Sequence, residues 1–142
     1  MAIVNSTLAA KQIDYSNEPK AMPTDYYGRV RVARGSYAGS DAAGTVIRLC
    51  KIPKGARVLG ISRLYFEAGQ NASLTVKVGD AADDDRYLAA VAPGASAATK
   101  ELALAGLVDR LAPAEEWILL TTGAQALTAD KKIVFEIYFV LD

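Results

Sequence analysis

The stretch that ends the chain constrains its fold more than any other. Ile133, Phe135, Ile137, Phe139 and Leu141 recur at every second residue without interruption. A period of two places all five on one face of a β-strand. Each large apolar side chain that is fully buried contributes about 1.5–3 kcal/mol, so this one face can dominate a core. The residues between them, Val134, Glu136, Tyr138 and Val140, are also mostly apolar. That predicts a second covered face, under a partner or under the N-terminal segment. The strand signal runs from Lys131 to Leu141, long enough at about 3.4 Å per residue to span the height of a sandwich.

Shorter segments of the same kind precede it. Tyr27 to Arg34 alternates Arg29 and Arg31 with Val30 and Val32, and Thr45 to Lys51 carries Val46, Ile47, Leu49 and Cys50. Arg57 to Glu67 reads as one strand and Ser73 to Gly79 as the next. In the latter, Leu74, Val76 and Val78 share a dry face, and Ser73, Thr75 and Lys77 a wet one. Ile52-Pro-Lys-Gly55 reads as a β-turn, with Pro53 fixing φ and Gly55 able to take a positive φ. Arg86 to Val91 is a fainter strand signal; Glu115 to Thr122, with Trp117-Ile-Leu-Leu120 inside it, is a stronger one that Gly123 ends. Gly35-Ser-Tyr-Ala-Gly39-Ser40 reads as a loop.

Ala89 to Leu107 supports two readings. Thr99 can cap a two-turn helix that Gly106 ends, or Leu102 and Leu104 can alternate along a strand. Counted as a strand, it brings the total to about eight, joined by turns at fairly regular spacing. The expected fold is all-β, a jelly-roll-like antiparallel β-sandwich. Residues 26–142 form this single domain, and a chain of 142 residues is long enough to bury about 70% of the surface it exposes when unfolded.

Residues 1–25 are irregular, broken by Asn5, Asp14, Asn17, Pro19 and Pro23. They nevertheless carry Ile3, Val4, Leu8, Ile13 and Tyr15, which a solvated leader has no use for. These residues favour an arm laid on a neighbouring subunit. Tyr26, Tyr27, Arg29 and Arg31 follow as further contact candidates. Together with Arg34 and Tyr37 they form a basic-aromatic group whose plainest reading is a wet strand face.

The composition argues against chemistry. There is no histidine, which removes the usual general base, the usual metal ligand and the nucleophile pairs that depend on it. Sixteen basic and sixteen acidic side chains cancel, where a nucleic-acid binder would show a basic surplus. The single cysteine, Cys50, cannot form a bridge within the chain and reads as a small apolar group. No apolar run approaches the roughly 20 residues of a membrane span. Neither a nucleic acid nor a membrane is therefore an expected partner, and no cofactor is expected. Glu115 and Glu116 point to opposite faces of a strand, which places them badly as a catalytic pair.

One loop invites a metal. Asp80, Asp83, Asp84 and Asp85 crowd four carboxylates into six residues, a donor type that suits calcium. The spacing is not that of an EF-hand. The alternative is a solvated connection in which Asp80 caps a turn and Arg86 pairs with an aspartate.

Four segments carry a resemblance. Ile52-Pro-Lys-Gly-Ala-Arg-Val58, Gly60-Ile-Ser-Arg-Leu-Tyr65, Leu74-Thr-Val-Lys-Val-Gly-Asp80 and Asp85-Arg-Tyr-Leu88 look like parts of a group of tailed-phage virion proteins. In that group a Pro-x-Gly turn leads into a "VGD…DRY" segment. Leu119 to Leu127 and Ile133 to Val140 are also similar, so the likeness runs from about Gly44 to Asp142. It is nearest to the jelly-roll cement, or decoration, proteins on phage heads, such as those of Bordetella-type podophages. The resemblance implies a non-enzymatic protein, made in the host cytoplasm, that sits on the capsid exterior. It implies a homo-oligomer, a dimer rather than a trimer, that clamps neighbouring major capsid protein subunits against internal pressure.

Two other classes compete. A carbohydrate- or receptor-binding sandwich would use Trp117, Tyr65 and Tyr87 as stacking faces, with calcium in the acidic loop. A small hydrolase or isomerase would use Asp84, Asp85 or Glu116 and would need a concave pocket with a carboxylate of raised pKa.

Overall fold

The computed structural model of the protein describes residues 1–6, 9–10, 30–103 and 110–141. Its strands are β1 (Ile3–Asn5), β2 (Val30–Tyr37), β3 (Val46–Ile52), β4 (Ala56–Val58), β5 (Arg63–Phe66), β6 (Thr75–Gly79), β7 (Leu88–Val91), β8 (Ala98–Glu101), β9 (Glu116–Gly123) and β10 (Ile133–Leu141). They form two sheets. The first has the order β1-β3-β9-β6-β7, the second β2-β10-β5-β8, with β4 also paired to β10. Every pairing is antiparallel except β1 with β3. Most connections cross from one sheet to the other, as in a jelly roll. The expected all-β, jelly-roll-like sandwich is therefore the observed fold.

The core lies between the sheets and follows from the alternation. Ile133, Phe135, Ile137 and Phe139 of β10 point inward and meet Ile118 and Leu120 of β9, Val76 and Val78 of β6, and Leu64 and Phe66 of β5. In β3 the register shifts between Arg48 and Cys50. Such a bulge lets apolar neighbours in sequence serve one face, and Ile47, Leu49, Cys50 and Ile52 are all buried. Burial pushes the Cys50 thiol up to about 12, so it packs as an uncharged apolar group. The expected turn lies one residue later, over Pro53 to Ala56, with Ala56 N–H donating to the Pro53 carbonyl and Gly55 at φ +82°; Ile52 still belongs to β3.

Two expectations need correction, and one open reading is resolved. The single strand over Arg57 to Glu67 is two strands laid end to end along β10. Five residue steps from Val58 to Arg63 run against three from Phe139 to Glu136. Ser62 bridges the interruption: its hydroxyl accepts from Tyr138 N–H (2.8 Å) and lies 3.2 Å from the Tyr138 carbonyl. Next, Gly35, Ser36 and Tyr37 are not loop but the second half of β2, paired with β10 from Phe135 to Ile133. Between the two readings of Ala89 to Leu107, the described residues take the strand, β8, paired with β5. Leu104 and Gly106 lie outside the described residues.

The outer face of β10, expected to lie under a partner or the N-terminal segment, carries Val134, Glu136, Tyr138 and Val140, all half-buried. The described residues of the N-terminal segment do not lie over it. β1 sits instead at the edge of the opposite sheet, where Val46 N–H donates to the Ala2 carbonyl and Ser6 N–H to the Arg48 carbonyl.

Candidate functional site

The acidic loop is built around Gly79 and Asp80 at the end of β6. A Cβ on Gly79 would stand 2.1 Å from the Asp83 carbonyl oxygen, so only glycine lets the loop backbone fold this close. Asp80 is buried, its side chain 2% exposed. One carboxylate oxygen accepts from the Ala82 and Asp83 N–H groups at 2.9 and 3.0 Å. The other accepts from Arg86 at 2.5 Å and Arg110 at 3.0 Å. Burial works against the charge, yet the Arg86 bond and the two backbone bonds outweigh it and hold the Asp80 carboxyl below the usual range. Arg110 continues to Glu116 through two bonds, 2.7 and 3.0 Å, and to the Tyr87 hydroxyl at 2.8 Å.

Asp80 caps the turn and is the aspartate that Arg86 pairs with, although it is buried rather than solvated, and its oxygens accept from four donors. Arg110 is the partner that sequence reasoning missed, because it arrives from 30 residues away. Asp83, Asp84 and Asp85 lie together at the surface, with carboxylate oxygens within 4.8 Å of one another. Asp84 pairs with Lys77 at 2.5 Å. A hydrogen bond from the neighbouring Asp83 and its charge raise the Asp85 pKa.

Glu115 and Glu116 part to opposite sides of β9. Glu116 is held by Arg110, and Glu115 points away from it to Lys51 at 2.6 Å. Of the three aromatic faces offered for stacking, Tyr87 is buried and its ring lies under Arg110. Trp117 already has Arg48 and Lys51 over its ring, each 5.3 Å from the centroid. Only Tyr65 is exposed, at 44%.

The contact candidates separate. Val4 packs against the chain's own core, while Ile3 beside it is exposed. Ser6 anchors this end, its hydroxyl bonding the Leu49 carbonyl and accepting from Ala9 N–H. The irregular arm thus begins with an edge strand of the chain's own sandwich. Leu8, Ile13, Tyr15, Tyr26, Tyr27 and Arg29 lie outside the described residues.

In β2 the expected faces are exchanged. Val30 and Val32 are 55% and 53% exposed, and Arg31 shares the inward side with Ala33 and Tyr37. β2 is an edge strand, and an inward-pointing charge on an edge strand is a known guard against unwanted strand pairing. Arg31 and Arg34 therefore do not share a face.

The exchange creates a surface. The outer face of β2-β10-β5-β8 carries Val30 and Val32 beside Val140 and Tyr138, and Val134 beside Tyr65. Across its middle runs Arg34, Glu136, Arg63 and Glu101, each directly opposite the next. Glu136 is 3.5 Å from Arg34 and 3.3 Å from Arg63. Arg34, Arg63, Tyr65, Thr99, Val134 and Glu136 line a shallow depression of about 410 Å³.

With this geometry in place, comparison with solved structures finds three phage capsids. A chain in the capsid of Ralstonia phage GP4 superposes with a TM-score of 0.75 over 99% of both chains, at 18% identity. One in the capsid asymmetric unit of cyanophage Pam1 gives 0.62 over 91% of this chain and 96% of that one, at 21% identity. One in the acid-stable capsid of Helicobacter pylori bacteriophage KHP30 gives 0.55 over 79% and 87%, at 16% identity. At these identities the likeness is one of fold. No protein-family model and no curated protein matches the chain.

Proposed function

We propose that this chain is a structural protein of a phage virion, binding the capsid exterior as a cement or decoration protein. The observation that carries the reading is the fold shared end to end with a chain of the Ralstonia phage GP4 capsid. The "VGD…DRY" resemblance in the sequence points independently to the same class. The partners are the major capsid protein and further copies of this chain, a dimer in preference to a trimer. Many copies on one shell make a modest single contact sufficient.

The chemistry fits a passive binder. The buried charges around Asp80 are spent on one another. In this reading the start of the chain, with Ile3 exposed at the sheet edge, and the residues leading into β2 supply contacts to the shell.

The test is the heat resistance of phage heads lacking their decoration. Added protein raises the temperature at which such heads open, in proportion to occupancy. Heads that open at the same temperature with saturating protein would contradict the cement role.

A further inference from the structure

The charged row on the outer face of β2-β10-β5-β8 has a symmetry of its own. In strand order it reads Arg34, Glu136, Arg63, Glu101: positive, negative, positive, negative. Reversed, it becomes negative, positive, negative, positive. The row is therefore its own complement when turned about an axis that runs along the strands between β10 and β5. In that arrangement Arg34 meets Glu101 of the other copy, and Glu136 meets Arg63.

The neighbouring row obeys the same rule. One step along the strands it reads Ser36, Val134, Tyr65, Thr99. The same rotation sets Val134 against Tyr65 and Ser36 against Thr99, apolar on apolar and polar on polar. Tyr65 and Val134 both line the shallow depression, so the exposed ring of each copy enters the hollow over Val134 of the other. On the other side of the charged row, the Tyr138 hydroxyl reaches back to donate to Glu136 at 3.3 Å.

We infer that this face is the self-contact of the protein: two copies pack outer sheet against outer sheet about a two-fold axis parallel to the strands. The inference rests on the homo-oligomer proposed above and names its surface. A second copy is favoured over another partner because both rows are complementary to themselves, which an isologous contact requires. Four strands about 4.8 Å apart give a face about 19 Å wide, and aligned sheets pack within about 30° of one another, which long Arg and Glu side chains tolerate.

Charge exchange tests it. One full-length variant carries Arg34→Glu and Arg63→Glu, making the row acidic throughout; a second carries Glu101→Lys and Glu136→Lys, making it basic. Masses by light scattering and folding by far-ultraviolet circular dichroism are read for each. The wild type is expected to be a dimer, each variant a folded monomer, and their equimolar mixture a dimer containing one of each. A wild type that stays monomeric at its highest soluble concentration would overturn the homo-oligomer and this face with it. Variants that remain dimers, or a mixture that forms no mixed dimer, would overturn the face and leave the homo-oligomer standing. Dimeric variants that no longer bind phage heads would assign the face to the capsid instead. Should a double variant fail to fold, Glu101→Lys alone, at the exposed edge, is expected to loosen the dimer at least about tenfold, since the two-fold axis sets a like charge against Arg34 in both copies. An unchanged dimer constant would overturn the proposal.

Discussion

Two ionic groups in this molecule use the same residue types for opposite ends. Around Asp80, two arginines and two carboxylates are largely withdrawn from water and satisfy one another completely. On the outer face, Arg34, Arg63 and Glu101 are exposed, and Glu136 lies half-buried between the two arginines. Burial makes the difference. A buried pair that loses one partner strands the other charge in a poor medium, whereas exposed pairs contribute about 1 kcal/mol or less. The first group ties the acidic loop to β9; the second is the surface proposed above for self-contact.

The comparison breaks most visibly at Asp80. Asp80→Ala leaves Arg86 and Arg110 without their shared carboxylate and is expected to lower stability by about 3–5 kcal/mol, measured by urea denaturation. A loss under 1 kcal/mol would mean the network is ornamental. Next comes Gly79→Ala. Its methyl group collides with the backbone of Asp83 and Asp84, and the loop must open, at about 1–3 kcal/mol. The same experiment reads it, and a neutral result would show that the loop does not lie this close to β6.

Acid sharpens the contrast. The Asp80 carboxyl is held below its ordinary pKa of about 3.9, so near pH 4 the folded state binds fewer protons than the unfolded one. Stability from this group is complete above that pH and is lost as pH falls through the lowered value. Wild type and Asp80→Asn should therefore differ in melting temperature at pH 6 and converge toward pH 2. A constant gap would contradict the assignment. The smallest effect is expected on the outer face: Glu136→Gln should change monomer stability by about 1 kcal/mol or less while weakening self-association. A large loss of monomer stability would place Glu136 with the structural group.

What the sequence made legible depended on range. The core faces of β6 and β10 are local patterns, and both are found as expected. The turn at Asp80 and its pairing with Arg86 were legible because donor and acceptor lie six residues apart. Arg110 was not, since nothing local marks a partner 30 residues away. The faces of β2 were misjudged for a different reason. Alternation shows that Arg31 and Val32 part company but not which goes inward, and the edge position of β2 reverses the usual choice. The charged row was invisible because its four members come from four strands, and only the pairing of β2, β10, β5 and β8 sets them side by side.

The central claim is that this sandwich works by sitting on a capsid. Co-sedimentation of the full-length protein with undecorated phage heads tests it most directly. The account predicts binding that saturates at a fixed number of copies per head, in whole oligomers. Protein that stays in the supernatant at every concentration, while remaining folded, would contradict it.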